Sequence, residues 1–173
     1  MGSSREVVGG TVEKQKNIGK RIVDADTYIP VIRELVEEGN TVPFLITGNS
    51  MSPFMIHERD TILLRKPVFP LKKGTMAFYQ RKSGQYVMHR ICKIKDGKYY
   101  FVGDAQIIVE GPLEQEQIFA VVCGVKRKNK LEEPGTFWWE FFEHIWLLLR
   151  PFRPLMIKKY SIIIGKINCV FRR

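Results

Sequence analysis

At 173 residues, with 45% hydrophobic and 27% charged side chains, the chain is long enough to bury a core and too apolar to be intrinsically disordered. Its net charge of +10 is uneven: residues 1–125 carry 17 basic and 14 acidic groups, and residues 126–173 carry 11 and 4, so a basic tail follows a nearly balanced domain. The trio Cys92, Cys123 and Cys169, none in a Cys-x-x-Cys pair, argues against a disulfide framework or zinc site, no apolar h-region follows Met-Gly-Ser-Ser-Arg-Glu, and no apolar run reaches the ~18 residues of a transmembrane helix.

Residues 1–23 read as a mobile arm containing Gly9-Gly10 and scattered lysines. Residues 24–38 read as one helix. Asp24 or Asp26 caps it, Ile29, Ile32, Leu35 and Val36 recur at three- and four-residue spacing, and Gly39-Asn40 stops it. From Val42 the texture changes to short strands: Val42–Ile46, Thr61–Arg65, Thr75–Gln80, Gln85–Ile94, Tyr99–Val102 and Ile118–Arg127. Arg81-Lys82-Ser83-Gly84 and Asp96-Gly97 supply hairpin turns. This spacing predicts a mainly β domain over residues 24–128, with its β core at 42–128 behind one N-terminal helix.

Lys126–Gly135 reads as a charged linker, and residues 129–173 as a basic, aromatic, amphipathic tail. Phe137–Leu149 forms a helix in this reading. Trp138, Phe141, Phe142, Ile145, Leu148 and Leu149 share one broad face, with Glu140, Glu143 and His144 on another. Arg150, Arg153, Lys158 and Lys159 follow. The pattern fits an interfacial helix at 137–159 on an anionic membrane, or equally a helix packed on the β domain and covering an edge. The charges at Glu140, Glu143, Arg150 and Arg153 argue against a spanning segment.

Three places offer chemistry. In Thr47-Gly48-Asn49-Ser50-Met51-Ser52-Pro53 a strand gives way to a tight polar turn, where a serine presents its hydroxyl at a cleft rim. The backbone N–H groups of Ser50 and Gly48 are the candidate oxyanion hole. Ser50 needs a base to become a nucleophile. His89, on the strand face of Val87 and Ile91, is the candidate, with His57 and His144 as competitors. Asp104, in the turn Gly103-Asp104-Ala105-Gln106, either caps that turn or accepts a hydrogen bond from the imidazole. Each feature alone also has a plain structural reading, as a turn, a core histidine and a turn cap.

The order of Gly48-Asn49-Ser50-Met51-Ser52-Pro53, Asp60-Thr61-Ile62-Leu63-Leu64, Gly74-Thr75-Met76-Ala77-Phe78, Met88-His89-Arg90-Ile91 and Gly103-Asp104-Ala105 resembles the superfamily of type I signal peptidases and LexA-like self-cleaving repressors, over about residues 42–128. The resemblance implies that superfamily's mainly β peptidase fold and a serine endopeptidase cleaving a precursor, leader or signal peptide. It implies Ser50 as nucleophile, His89 as the base of its Ser-His branch, and Asp104 as the aspartate that assists or orients the histidine. Lys93 is a distant second base. Gly48 stands where many signal peptidases carry serine, which puts more of the oxyanion stabilisation on the Ser50 N–H, and Gly-Asp-Ala-Gln replaces the usual Gly-Asp-Asn-Asn. The membrane anchor typical of signal peptidases is not seen, so peripheral membrane association through the tail is expected, with a cytoplasmic protein as the alternative. No metal, organic cofactor or nucleic-acid partner is expected. The competing functions are a self-cleaving regulator, which needs more than one helix before residue 40 to bind DNA, and a binding module without catalysis that uses its tail on lipid or nucleic acid.

Overall fold

The computed structural model describes residues 25–128 and 130–156. The arm expected over residues 1–23, the capping side chains Asp24 and Asp26, Cys169 and the two lysines at 158 and 159 lie outside the described residues. The chain begins with α1, Ala25–Glu37, and continues through strands β1 (Val42–Leu45), β2 (Asp60–Arg65), β3 (Met76–Gln80), β4 (Tyr86–Lys95), β5 (Lys98–Val102), β6 (Glu110–Leu113), β7 (Ile118–Arg127) and β8 (Lys130–Glu132). All pair antiparallel, in the order β1-β2-β7-β3-β4-β5-β6, and β8 pairs with the end of β7. The protein is therefore mainly β. Two of its strands were not expected: β6 falls in the loop after Val102, and β8 falls inside the stretch read as a linker.

The central strands β3 and β7 are buried on both faces, which is why Met76–Tyr79 and Ile118–Val122 read as continuous apolar runs. Alternate residues feed two cores. One gathers Met76, Phe78, Phe119 and Val122 with Ile29, Ile32 and Val36 of α1. The other gathers Ala77, Tyr79, Ile118 and Val121 with Ile91, Tyr99 and Phe101. Leu35, read as part of the inner face of α1, is exposed.

The C-terminal segment packs onto the first core and keeps an apolar outer side as well. It runs as short turns at Phe137–Glu140, Phe141–Ile145, Trp146–Leu148 and Arg150–Phe152, the second of them a π turn. Trp139, Phe142, Trp146 and Leu147 are buried, whereas Trp138, Ile145 and Leu148 of the expected apolar face are exposed, Leu148 to 70%. A π turn takes more residues than an α turn, so it rotates the apolar stripe away from a regular helical period. Among the described residues no helix is long and apolar enough to cross a membrane.

Candidate active site

The segment between β1 and β2 carries Ser50. Gly48 takes φ +93°, a conformation that side chains resist and that lets the chain leave β1 and turn at once. The turn is then anchored on both sides. Met51, Phe54 and Met55 bury their side chains in the first core. At its far end Asp60 accepts from Ile56 N–H at 3.0 Å and is clasped by Arg59 and Arg127 at 2.8 and 3.1 Å. Burial opposes the charge on Asp60, yet the hydrogen bonds from Arg59 and Arg127 hold its carboxyl below the usual carboxylate range.

Ser50 and His89 line the same cleft, of about 310 Å³, with Phe44, Ile46 and Gly48 on one side and Tyr86–Met88 on the other. Ser50 Oγ and His89 Nε2 make no hydrogen bond among the described residues, and neither atom is sealed from solvent. The fold thus brings the two expected residues to one place without a direct bond between them.

The partner of the imidazole is not the expected one. His89 and Arg90 are neighbours on β4 and so point to opposite faces of the sheet. Asp104 lies on the Arg90 side. Its carboxylate takes two bonds from the guanidinium, Nε at 3.0 Å and Nη2 at 2.8 Å, with both side chains fully buried. Arg90 also donates to Gly74 O at 2.9 Å and stacks over Phe54 at 5.5 Å. Asp104 therefore makes no hydrogen bond to His89, and its charge favours the imidazolium only through space.

Tyr79 and Glu110 occupy that role instead. Tyr79 Oη lies 3.2 Å from His89 Nδ1 and donates to Glu110 Oε2 at 2.8 Å, while both Glu110 oxygens are held by Arg81. The proton inventory follows. The Arg81 guanidinium holds Glu110 below the usual carboxylate range against the opposing effect of burial, so Glu110 only accepts. Burial, then the bond to Glu110, raises the Tyr79 phenol well above its ordinary value, so Tyr79 keeps its one proton and spends it on Glu110. The Tyr79 oxygen then accepts from His89 Nδ1–H, which leaves the lone pair on Nε2, the nitrogen with no hydrogen-bond partner among the described residues. Burial pushes His89 down to about 4, with Glu110 opposing and Arg81 assisting, so the ring is neutral at neutral pH.

The remaining candidate bases do not line this cleft. His57 is exposed and its Nδ1 accepts from Gly48 N–H at 3.0 Å. That bond occupies the Gly48 amide, which is therefore not a free oxyanion donor as expected. The Ser50 N–H has no partner among the described residues. His144 sits exposed in the C-terminal segment, bonded to Glu140 at 3.1 Å, and Lys93 is exposed with its Nζ over the Tyr100 ring. Cys92 and Cys123 are free, half-buried thiols.

The turn Gly103–Gln106 has a different use from the one read in it. Ala105 N–H donates to Ser50 O at 2.8 Å, and a Cβ on Gly103 would stand 2.6 Å from that same oxygen. The turn is a backbone support for the serine, and Gly103 lacks a side chain because the two chains meet there.

Sequence reasoning missed Tyr79, Arg81 and Glu110. Tyr79 had a signal: the Arg81–Gly84 turn sets Ala77 opposite His89, and Tyr79 is the same-face diagonal neighbour. Glu110 had none, because its position depends on the irregular pairing of β6 with β5. Scanned against known protein families, the chain matches no family model, and no curated protein is significantly similar to it.

Proposed function

We propose that this protein is a serine endopeptidase of the type I signal peptidase and LexA-like superfamily, with Ser50 as nucleophile and His89 as general base. The single observation that carries the reading is that His89 lines the cleft that holds Ser50 while its Nδ1 is engaged by the Tyr79–Glu110 pair, which leaves Nε2 as the nitrogen to take a proton. In the reaction His89 Nε2 takes the Ser50 proton as Oγ attacks the substrate carbonyl. The Ser50 N–H faces the developing oxyanion, and the imidazolium is stabilised by a Tyr79 oxygen polarised by Glu110. His89 then protonates the leaving amine, and water clears the acyl-enzyme by the same route. Hydrogen bonds of this kind tighten when substrate binds, which accommodates the separate Ser50 and His89 side chains.

The cleft suits an extended peptide. β1 pairs only with β2, and the Tyr86–His89 half of β4 pairs only with β3, so two unpaired backbone edges flank the cleft among the described residues. A precursor chain lying between them gains ladder hydrogen bonds whatever its sequence. We also propose peripheral attachment to an anionic membrane, favoured by the exposed stripe of Trp138, Ile145, Leu148, Phe152 and Leu155 in a tail with a surplus of basic residues.

A fluorophosphonate probe tests the enzyme directly: labelling is expected in the native chain and lost in both Ser50→Ala and His89→Ala. Labelling that survives Ser50→Ala eliminates the nucleophile, and a chain that never labels is a binding module. Self-cleavage appears as intramolecular fragments whose yield is independent of protein concentration. For the membrane, co-sedimentation with phosphatidylglycerol vesicles is expected to fall in Leu148→Glu/Phe152→Glu, and unchanged binding rejects the stripe.

A further inference from the structure

The C-terminal segment reaches the serine turn from two directions. From one side, Trp139 and Phe142 enclose Phe54, four residues beyond Ser50, with ring centroids 6.0 and 4.8 Å away. From the other, the segment holds the Gly103–Gln106 turn by its carbonyls. Trp146 Nε1 donates to Asp104 O at 2.9 Å, and Arg153 Nη1 donates to Gly103 O at 2.8 Å and Gln106 O at 3.0 Å. The Arg153 guanidinium is fully buried and, among the described residues, has no carboxylate in its hydrogen bonds. Its other bonds go to Trp146 O, at 3.3 and 3.0 Å, and it lies over the Trp146 ring at 5.4 Å.

Burying a cation among carbonyls is costly unless its donors are engaged, and here Nη1 bonds to the turn that supports Ser50 while Nε and Nη2 close on Trp146 O of the same segment. We infer that the C-terminal segment is a positioning element for the nucleophile, with Arg153 tying it through the Gly103–Gln106 turn and the Ala105–Ser50 bond to the Ser50 backbone. This rests on the reading of Ser50 as the nucleophile. Arg153 does not touch the reacting atoms; it fixes the strut that holds the Ser50 backbone carbonyl. The tail thus braces the serine turn from behind, without lining the cleft itself.

The test uses the full chain with a fluorophosphonate probe, resolving the maximal labelling rate from the probe's apparent affinity, alongside hydrogen exchange read by mass spectrometry. Arg153→Met is expected to slow maximal labelling by roughly 10- to 100-fold, the cost of an ångström-scale misplacement, with probe affinity within about twofold and with faster exchange in peptides covering residues 48–52 and 103–106. Trp146→Phe, a milder change that removes the indole donor and part of the ring beneath Arg153, is expected to shift both readouts in the same sense by a smaller factor, and it carries the test if Arg153→Met does not fold. A folded variant with native labelling rate, or native exchange in those peptides, overturns the inference. Should the native chain not label at all, the nucleophile reading fails, and the exchange result alone decides the positioning role.

Discussion

The neutral, buried His89 makes a prediction that does not depend on any substrate. Above pH 6.5 the imidazole is neutral in both the folded and the unfolded chain. As the pH falls, the unfolded chain takes up the proton at its ordinary value and the folded chain only near 4, so stability is lost progressively across that window. The gap from 6.5 to about 4 corresponds to about 3 kcal/mol, a large part of the ~5–15 kcal/mol that holds a domain of this size together. Urea unfolding of the native chain and of His89→Gln, at pH 7 and pH 4, isolates this group, because Asp60, Glu110 and the other carboxylates titrate in both proteins. The native chain is expected to lose about 3 kcal/mol more than the variant between the two pH values. Parallel losses would refute the buried neutral imidazole, and with it the tautomer on which the mechanism depends. The same ring governs labelling by the fluorophosphonate probe, which is expected to be flat from pH 6 to 8 and to fall only toward pH 4.

Three further outcomes follow from the contacts. Asp104→Asn leaves the Arg90 guanidinium without its anion and is expected to cost about 3–5 kcal/mol in urea unfolding, and because the Asp104 charge favours the imidazolium through space, the pH at which labelling falls is expected to move slightly lower; loss of labelling at pH 7 in the folded variant would give Asp104 a direct part beside the imidazole. Tyr79→Phe removes the acceptor that fixes the His89 tautomer, so maximal labelling is expected to drop by about 100-fold or more, with probe affinity unchanged in the same kinetics. Gly103→Ala forces a methyl against Ser50 O and is expected to cost roughly 1–3 kcal/mol and to slow labelling, both measurable on one preparation.

Much of the β architecture was legible because its strands carry their own signals. Thr75–Gln80 and Gln85–Ile94 flank a polar glycine-containing turn, and the hairpin they predict is the one that presents His89. β6 was hidden because Glu110-Gly111-Pro112-Leu113 looks like a loop and becomes a strand only by pairing with β5. β8 is three residues long, with a lysine and a glutamate around Leu131, and exists because β7 outruns β3 and offers an edge. Of the candidate site, Ser50 and His89 were legible, and the fold sets both on one cleft, but their surroundings were not. A Gly-Asp turn has two possible partners on a strand reading His89-Arg90, and spacing cannot say which face it meets. The inner side of the tail was misjudged for a related reason: a regular period places Ile145 with Phe142, whereas the π turn at Phe141–Ile145 turns Trp146 inward in its stead.

The adjacency of His89 and Arg90 makes the hairpin loop at Arg81–Gln85 a chemical determinant as well as a connector. Adding or removing one residue there would slide β4 by one place against β3 and turn each of its side chains to the other side. The imidazole would then leave the face that meets the Tyr79 phenol, and sliding in one of the two directions would set it in the place of the Arg90 guanidinium. Loop length and reactivity are coupled here, although no atom of Lys82, Ser83 or Gly84 lines the cleft.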